Sequence, residues 1–290
     1  MVLMQIYKKI LIFTLIVTVC YYLVHSYTKG WELLFLPVGN GDSILLLHKN
    51  RPKILIDGGP DFYVDYFLSK YFIFNNCSLD YIFLTHPHAD HLKGLTRVLE
   101  HCKVKKVFEN RVDYNSKLYR SWQNLILEKS ENSDSKYKNL EYRSSLTSDF
   151  VVSLGDLKLI VLHPSKSRVE EFSKSMKNAN DVSLVLLLDF FNFEALLMGD
   201  LEVQNHKYID LELMKKYVNG SVEVLKVPHH GAKNGNNPLF FDNFQFDLAV
   251  ITTSPNKYGH PSNDTIKYFE NKGTKVLRTD FNGLIKLPLN

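Results

Sequence analysis

The chain has 290 residues, of which 45% are hydrophobic and 23% are charged, and its formal net charge is +4. This composition is ordinary for a globular protein with a substantial core, and the length allows one large domain or two modest ones. The charge is compatible with an anionic substrate, but it is too small to indicate nucleic-acid binding by itself. The three cysteines, Cys20, Cys77 and Cys102, exclude a paired disulfide framework and a Cys-x-x-Cys site. Cys77 and Cys102 could bridge in an oxidising compartment, but buried free thiols are the expectation.

Residues 1–29 are predicted to be a membrane anchor. Two lysines precede an uncharged apolar run from Ile10 to about Val24, and bordering tyrosines bring it near the length of a spanning helix. No small-x-small cleavage site follows the run, which argues against a removed signal peptide. The positive flank predicts a cytoplasmic N-terminus, so residues 30–290 would form an extracytoplasmic domain of a single-pass protein of the cell membrane. An ordinary buried helix at the start of the domain is the alternative.

From Trp31 onward, short β-rich runs alternate with turn signals and helical stretches. The first half predicts strands at WELLFLPV, DSILLLHK, KILIDGG, SLDYIFLT and VKKVFE, with helices at DFYVDYFLSKYFIF and LKGLTRVLEHC. A polar segment from about Tyr114 to Ser148 is predicted to be an insertion or a mobile excursion over the core.

The second half predicts strands at FVVSL, LKLIVLHP, SLVLLLDF, FEALLMGD, VEVLKVPHHG, FDLAVITTS and KVLRTD, with helices at residues 208–218 and 263–272. Strands at hairpin spacing dominate over strict βαβ alternation. The predicted fold class is therefore α+β, an αββα sandwich rather than a doubly wound parallel sheet.

The stretch THPHADH places three histidines and an aspartate directly after a predicted strand. His86 and His88 are two residues apart, so in an extended loop both would point to one side and could hold one metal ion. Asp90 and His91 begin the next helix and suit a second ion nearby. Imidazole and carboxylate ligands are typical of zinc, and manganese accepts the same set.

Three further strand ends carry a histidine or an aspartate. LLMGD ends in Asp200, VPHHG contains His229 and His230, and YGHP contains His260. Each of these alone would be read as an ordinary strand-end turn. Together, the four strand ends predict one rim of the sandwich that converges on a shared site, where a carboxylate could bridge two cations.

These motifs resemble the H-x-H-x-D-H signature of the metallo-β-lactamase superfamily. The wider set PVGNGDSILL, ILIDGG, LHP, NDVSLVL, LLMGD, VPHHG, YGHP and LRTDFNG, in this order, resembles the hydrolase domain of ComEC competence proteins. The likeness runs from about Leu33 to the end of the chain. It does not include ComEC's multi-helix channel, since only the predicted anchor precedes the domain.

The resemblance implies a centre that holds two zinc ions, with manganese as an alternative. Asp200 would bridge the ions and His260 would complete the second site. Asp90 would also orient the attacking hydroxide. His229 and His230 would lie at the rim as a ligand or as a proton donor to the leaving group, with His230 assigned the catalytic role. The implied metal ligands are His86, His88, Asp90, His91, Asp200, His229 and His260.

One departure from the superfamily pattern affects the first site. Many members place another histidine before the bridging aspartate, where this chain has Asn180-Asp181-Val182-Ser183, and His163 is far back in the sequence. The first site would then be weaker, or it would be completed by Asn180 or Asp181, and binding of a single ion is an alternative.

Two further carboxylates, Asp42 and Asp57, lie at strand ends near the expected site. Asp57 is predicted either to hold a ligand histidine or to form a turn before Gly-Gly. The turn that contains Asp42, residues 39–42, is a weak candidate to cradle a phosphate through its backbone N–H groups.

The predicted reaction is hydrolysis by a metal-activated water. The ComEC resemblance, a domain associated with DNA degradation during uptake, favours a phosphodiester such as extracellular DNA. Lys226, Lys233 and Lys257 are consistent with a phosphate but are expected to be ordinary solvated lysines. A cell-envelope phosphoesterase or lactonase is the second reading, and a catalytically silent binding module at the membrane is the third. The sequence identifies neither a protein partner nor an oligomeric state.

Overall fold

A computed structural model of the chain describes residues 7, 10–18, 30–48, 52–72, 77–131, 140–175, 178–218 and 220–289. Residues 10–18 are helical and exposed. Within the described ranges, no helix has the length and apolar character needed to cross a membrane. The predicted anchor extends into residues 19–29, which lie outside these ranges, so it stays a prediction.

Two seven-stranded sheets form the centre of the fold in the described residues. The strands are, in chain order, β1 (Glu32–Phe35), β2 (Ile44–Leu47), β3 (Ile54–Ile56), β4 (Ser78–Phe83), β5 (Lys103–Phe108), β6 (Glu141–Arg143), β7 (Val151–Leu154), β8 (Leu157–His163), β9 (Val185–Phe190), β10 (Phe193–Leu197), β11 (Ser221–Lys226), β12 (Gln245–Ile251), β13 (Lys275–Arg278) and β14 (Ile285–Pro288).

The two sheets repeat one pattern. The first has the order β14-β1-β2-β3-β4-β5-β6 and the second has the order β13-β12-β11-β10-β9-β8-β7. In the first sheet, pairs up to β2–β3 are antiparallel and the pairs from β3 to β6 are parallel. In the second, β7 to β10 pair antiparallel and β10 to β13 pair parallel. The parallel half of each sheet directs its strand ends to one edge.

The strands read as continuous apolar runs because both of their faces are buried. In β1, Leu33 and Phe35 face the second sheet and pack with Leu159 and Leu186. Leu34 of the same strand packs against the helical layer. This alternation gives one apolar layer between the sheets and one outside each sheet. The predicted two-sheet α+β sandwich is confirmed.

Helices cover the outer faces of both sheets. In the helix Ala89–His101, buried residues recur at spacings of three and four, as in Leu92, Leu95 and Leu99, because only one face of the helix meets the core. In the described residues from 30 onward, the α-helices are α1 (Tyr63–Tyr71), α2 (Ala89–His101), α3 (Lys117–Glu131), α4 (Lys166–Ser175), α5 (Leu211–Met214), α6 (Pro238–Phe241), α7 (Asn263–Asn271) and α8 (Thr279–Asn282).

The prediction of a mobile excursion over residues 114–148 is wrong for most of this segment. Its first half forms α3, which buries Tyr119, Trp122 and Ile126 in the core beside the first sheet. Its last part contributes β6 to the edge of that sheet. The polar composition reflects the outer face of α3. Residues 132–139 lie outside the described part of the chain.

A disulfide joins Cys77 and Cys102, so the expectation of free thiols is wrong for these two residues. Cys77 precedes β4 and Cys102 precedes β5, and the two strands are parallel neighbours. The N–H of Lys103 donates to the Cys77 carbonyl at 2.8 Å, which brings the two strand starts together. The sequence separation does not reveal this pairing. Cys20 lies outside the described residues.

Candidate metal centre

Polar side chains converge where the parallel halves of both sheets end. Asp57 follows β3 and His86 follows the end of β4 in the first sheet, whereas Asp200 follows β10 and His230 follows β11 in the second. The carboxyl ends of parallel strands are where open α/β sheets bind ligands. The predicted convergence of distant strand ends therefore exists in the fold.

Four side chains at this edge form what we call the inner group: Asp90, His91, Asp200 and His230. Each offers one ligand atom, and these atoms all lie within 4.8 Å of one another. Asp200 Oδ2 is 3.3 Å from His91 Nε2 and 3.3 Å from His230 Nε2. His230 Nε2 is also 3.4 Å from Asp90 Oδ2.

These separations fit a shared metal ion. Two ligands about 2.0–2.1 Å from a tetrahedral zinc ion are about 3.3–3.4 Å apart. His91 Nε2, His230 Nε2 and Asp200 Oδ1 are buried and have no hydrogen-bond partner in the described part of the chain. A buried polar atom without a partner loses the free energy of its hydration. The inner group therefore has ligand atoms of the right type and spacing for a divalent cation, and the cation would satisfy those that have no hydrogen-bond partner.

The charges of the inner group depend strongly on one another. Burial opposes the charge of His230, but the carboxylates of Asp200 and Asp90 outweigh it and raise its pKa to about 9. The pKa of His91 is likewise raised, against burial, by Asp200 and Asp57. Burial alone would raise the pKa of Asp200, yet the two imidazoles hold it well below its usual range. The pocket thus concentrates negative charge that needs a cation, whether proton or metal.

Hydrogen bonds behind the inner group orient its two imidazoles. The Nδ1–H of His91 donates to Asp57 Oδ2 at 2.7 Å, which leaves Nε2 directed at Asp200. Asp57 also accepts from the N–H and the hydroxyl of Thr85, at 2.8 and 2.7 Å. Of the two alternatives for Asp57, the structure thus shows the partner of a histidine. On the other side, the Nδ1–H of His230 donates to the Thr252 carbonyl at 2.9 Å.

The two adjacent histidines owe their directions to an unusual backbone. His229 and His230 both have left-handed φ angles, +51° and +53°, and Gly231 follows at +76°. Non-glycine residues in this region cost about 1–2 kcal/mol each relative to right-handed backbone. At Gly231 a Cβ would come within 2.6 Å of Pro261 Cβ, so glycine is required there. The turn sends His230 into the inner group and leaves His229 nearer the surface.

Lys226 is completely buried beneath the centre, so the expectation of a solvated lysine is wrong for this residue. Its Nζ forms an ion pair with Asp42, donates to the Gly199 carbonyl at 2.9 Å, and lies 3.7 Å from Asp200 Oδ1. Asp42 also accepts a hydrogen bond from the Thr252 hydroxyl. Lys226 therefore neutralises one buried carboxylate and fixes the loop that carries another. Its position on β11, facing this edge, explains its burial.

His86 and His88 form a pair next to the inner group. His86 Nε2 is 3.1 Å from His88 Nδ1, a separation that also suits two ligands of one ion. The His86 ring lies 4.1 Å from the ring of His91, and its Nδ1 is 3.1 Å from the Thr85 hydroxyl. Burial, followed by the nearby charge of His91, lowers the pKa of His86 well below its usual range. His86 is therefore neutral, the form in which imidazole binds a metal.

The outer group, His229 and His260, differs from the arrangement expected from the sequence. The structure places His230, not His260, among the four inner residues, and it places His229 at the rim. His229 Nε2 lies 4.0 Å from Asp200 Oδ2, and its ring is 5.3 Å from the ring of His260. His229 is partly exposed, whereas His230 is 1% exposed. The left-handed turn at residues 229–231 is the cause, because it directs His230 into the inner group and His229 to the rim.

Asn180 and Asp181, the candidates for the missing third ligand, take part in a different network. The Asn180 amide donates to Glu202 Oε1 at 3.0 Å, and Glu202 lies 3.9 Å from His229 Nδ1. Asp181 accepts from Asn205 at 2.6 Å. Asn180 Oδ1 is buried and has no hydrogen-bond partner in the described residues, so it keeps a free acceptor.

His163 and the turn at residues 39–42 are used structurally. The Nδ1–H of His163 donates to the Ser183 carbonyl at 2.9 Å, and burial lowers the pKa of His163 to about 4. In the turn, the Asp42 N–H donates to the Asp90 carbonyl at 3.3 Å, and a Cβ on Gly41 would come within 2.2 Å of that oxygen. The turn packs against the start of α2, so its suggested use as a phosphate cradle is wrong for the Asp42 N–H.

The other two lysines are exposed, as expected. Lys233 Nζ is 3.6 Å from Asp264, and Lys257 Nζ lies 5.8 Å from the centre of the Tyr258 ring.

Sequence reasoning missed Glu202, which follows the expected bridging aspartate by two residues and faces His229. It also missed Thr85, whose only signal is its position directly before His86.

The comparisons with known proteins agree with this geometry. Residues 36–167 match the sequence profile of the metallo-beta-lactamase superfamily. The chain is 28% identical over 217 residues to ComE operon protein 3 of Bacillus subtilis (strain 168), covering 72% of this chain and 24% of that protein. It is 24% identical over 240 residues to Recombination protein 2 of Haemophilus influenzae, covering 80% of this chain and 26% of that protein. The chain thus spans about a quarter of the length of these relatives.

A solved structure shares the fold. The metallo-beta-lactamase fold protein YhfI from Bacillus subtilis aligns with a TM-score of 0.57 and 12% sequence identity, over 89% of this chain and 100% of that chain. At this identity the likeness shows the fold alone. The resemblance to the metallo-β-lactamase superfamily and to ComEC-like proteins, expected from the sequence, is confirmed.

Proposed function

Because this chain carries a metallo-β-lactamase superfamily domain, we propose that it is a metal-dependent hydrolase whose substrate is a phosphodiester, with DNA as the first candidate. One observation carries the proposal. His91 Nε2 and His230 Nε2 converge on Asp200 Oδ2 at 3.3 Å each, and both Nδ1 atoms are engaged behind the site. Such an arrangement leaves only Nε2 of each ring for a cation.

The inner group fits one ion, and the His86–His88 pair offers two ligand atoms for a second. The inner group would hold one ion, and His86 with His88 would hold the other. The imidazole and carboxylate donors suit zinc, and manganese is the alternative. Ions held there would lower the pKa of a bound water to about 7 and would offset negative charge on the reacting oxygens.

Two residues of the chain have the positions of catalytic groups. Asp90 is the member of the inner group whose carboxylate is partly exposed, so it can orient the attacking water. His229 can donate a proton to the leaving oxygen, because it is partly exposed and lies near Asp200. His230, to which the sequence assigned this role, is buried and its Nδ1–H is bound to Thr252. The roles of these adjacent histidines are therefore exchanged in the proposal.

The relatives support a phosphodiester substrate. The name of Recombination protein 2 associates that protein with DNA, and ComE operon protein 3 is the relative with the higher identity of the two. The net charge of +4 is compatible with a polyanion. The chain covers about a quarter of each relative, so the inference concerns only the region of each relative that matches this chain.

The proposal includes a location outside the cytoplasm, with residues 1–29 as a single-pass tether to the membrane. The disulfide between Cys77 and Cys102 supports it, because disulfides persist in oxidising compartments and are rare in the cytosol.

The test compares the full chain with its Asp200→Ala variant on two substrates: single-stranded DNA and bis(p-nitrophenyl) phosphate, each with added zinc or manganese. We expect wild-type hydrolysis of both, stoichiometric bound metal, and loss of both properties in the variant. Turnover of the small ester without any DNA cleavage would contradict the nuclease assignment and favour a cell-envelope phosphoesterase or lactonase. Bound metal without turnover of any ester would favour the silent binding module.

A further inference from the structure

A side cavity of about 450 Å³ opens next to the metal centre. It lies between the loop that follows β5 and the first turns of α3. Arg111 and Tyr114 line it from the loop, and Arg120 and Asn124 line it from the helix. Its volume falls within the range of about 300–1,000 Å³ that small-molecule sites occupy.

One aromatic ring of the cavity lining, that of Tyr114, lies against the metal centre. The ring of Tyr114 lies 5.6 Å from the ring of His88, edge to face, and 6.3 Å from the ring of Tyr119. A group bound against Tyr114 would therefore lie one residue away from a side chain of the proposed metal site. Nothing in the proposed chemistry of that site requires Tyr114.

The walls of the cavity are fixed by hydrogen bonds. The N–H of Arg111 donates to the Ser144 carbonyl at 3.1 Å, and the N–H of Val112 donates to the Tyr119 hydroxyl at 3.4 Å. Beneath them, buried Glu109 accepts from the Gln123 amide at 2.8 Å. The loop is thus held against α3, and the cavity keeps its shape without a ligand.

The cavity offers positive charge and a stacking surface together. Arg111 and Arg120 are both exposed, and the one carboxylate in the lining, Asp113, offsets only one of their charges. Guanidinium groups bind phosphate through paired hydrogen bonds, and aromatic rings stack on bases of any sequence. The amide of Asn124 adds a neutral donor and acceptor.

We propose that the side cavity binds one nucleotide unit of a single-stranded nucleic acid, beside the diester that the metal centre cleaves. Arg111 and Arg120 would hold the phosphate, and Tyr114 would stack on the base. The proposal rests on the proposed phosphodiesterase function and narrows its substrate class to polynucleotides.

The main test is the double variant Arg111→Ala/Arg120→Ala. We expect its kcat/KM for a labelled single-stranded oligonucleotide to fall at least about tenfold, chiefly through KM, because the variant cannot make charge-assisted hydrogen bonds to the phosphate. Its kcat/KM for bis(p-nitrophenyl) phosphate should stay within about twofold, since neither arginine contacts the inner group. Both side chains are exposed, and an unchanged melting temperature checks the fold.

A matched control and a salt series distinguish binding in the side cavity from a general effect of positive surface charge. Lys215→Ala/Lys216→Ala removes the same charge from exposed residues outside the cavity and should leave both substrates unaffected. The slope of log affinity for the oligonucleotide against log salt should drop by about 0.7 for each phosphate that the arginine double variant no longer neutralises. Equal losses of kcat/KM on both substrates, no loss on either, or an equal loss in the control would overturn the proposal.

Tyr114 gives a second test. Tyr114→Ala should weaken oligonucleotide binding about 5- to 150-fold through lost base stacking, whereas Tyr114→Phe keeps the ring and should bind like the wild type. Equal weakening by both variants would contradict stacking. Parallel DNA and RNA oligonucleotides show which polymer binds more tightly.

A binding assay distinguishes failure of this inference from failure of the proposed function. If the wild type hydrolyses neither substrate, the proposed function fails. Fluorescence anisotropy of the same oligonucleotide in EDTA then still tests the cavity. Binding that the arginine double variant abolishes would support the nucleotide site, and absence of binding by the wild type would overturn it.

Discussion

The inner and outer histidines of the centre differ in what lies behind them. His91 and His230 are buried, and their Nδ1 atoms are held by the Asp57 carboxylate and the Thr252 carbonyl. His229 and His260 are partly exposed, and their rings contact each other. The difference indicates that the inner imidazoles keep their direction without help from a ligand, whereas the outer ones are free to follow a substrate.

Buried histidines elsewhere in the fold show the same contrast. His206 is as buried as His230, but no carboxylate contacts it in the described part of the chain; its Nε2–H donates to the Leu201 carbonyl at 3.0 Å. Burial therefore lowers the pKa of His206 to about 4, whereas carboxylates raise that of His230 to about 9 against burial. Burial alone thus gives a neutral core histidine, and burial among carboxylates gives a cation-binding one.

The largest effect is expected from replacing one of the two adjacent histidines, His230, while the other is kept. His230→Ala should remove bound metal and reduce turnover of a diester by about 10³-fold or more, because ion stabilisation is worth several kcal/mol. Metal analysis and steady-state kinetics measure both changes.

His229→Ala is the matched variant, and it should retain its metal. Loss of a proton donor should cost about 10²–10⁴-fold with DNA, whose leaving alkoxide needs a proton. The cost should be small with a p-nitrophenyl ester, whose leaving group does not. Equal metal loss in both variants would remove the distinction between inner and outer histidines.

Lys226→Met should have the next largest effect, this time on stability. It leaves the buried Asp42 carboxylate without its cation, which costs about 3–5 kcal/mol when one partner of a buried pair is removed. Chemical denaturation should show this loss, and Asp42→Asn/Lys226→Met should recover part of it. Arg97→Met, which breaks an exposed pair with Asp65, is the control and should change stability far less. No recovery in the double variant would show that the two residues are not coupled.

The acid stability of the protein should depend on His206. Above pH 6.5, the histidine is neutral in both the folded and the unfolded state. As the pH falls from about 6.5 to about 4, the unfolded state takes up a proton and the folded state does not, so the free energy of unfolding decreases by about 3 kcal/mol. His206→Gln should lose this part of the acid sensitivity in denaturation curves at pH 7.5 and 4.5. His101→Gln, at an exposed position, should behave like the wild type.

Asp57→Asn should have the smallest effect of these substitutions. It removes the charge behind His91 but keeps the shape, and such changes typically cost about 10–100-fold in metal affinity or activity. A metal titration measures the affinity, with Asp65→Asn, at a partly exposed position, as the control. Unchanged affinity would mean that Asp57 does not support the inner group.

Most of the fold could be predicted because the strands are unbroken apolar runs between turn residues. β6, with the sequence Glu-Tyr-Arg, has no such signal, since it lies at a sheet edge and only its backbone pairs with β5. The helix α3 gave little signal for a related reason: polar residues cover its outer face, and Tyr119, Trp122 and Ile126 are its buried residues. The disulfide was not predictable because it joins two neighbouring strand starts, 25 residues apart in sequence.

The positions of the site residues could be predicted, but their individual roles could not. Which of His229 and His230 points inward depends on two left-handed φ angles, which the letters HH do not indicate. The contact between Asp57 and His91 needs a close approach of the loop after β3 to α2. At Gly94 a Cβ would lie 1.9 Å from the Gly58 carbonyl oxygen, so the approach requires glycine there. Such tertiary contacts are visible only in the folded chain.

Crystallography of the protein soaked with zinc or manganese, with anomalous data collected at the metal absorption edge, tests the central claim most directly. We predict an anomalous peak bounded by His91 Nε2, His230 Nε2 and Asp200 Oδ2, and no such peak in the Asp200→Ala variant. Fully soaked wild-type crystals without a peak at that position, or with metal bound only elsewhere, would contradict the account.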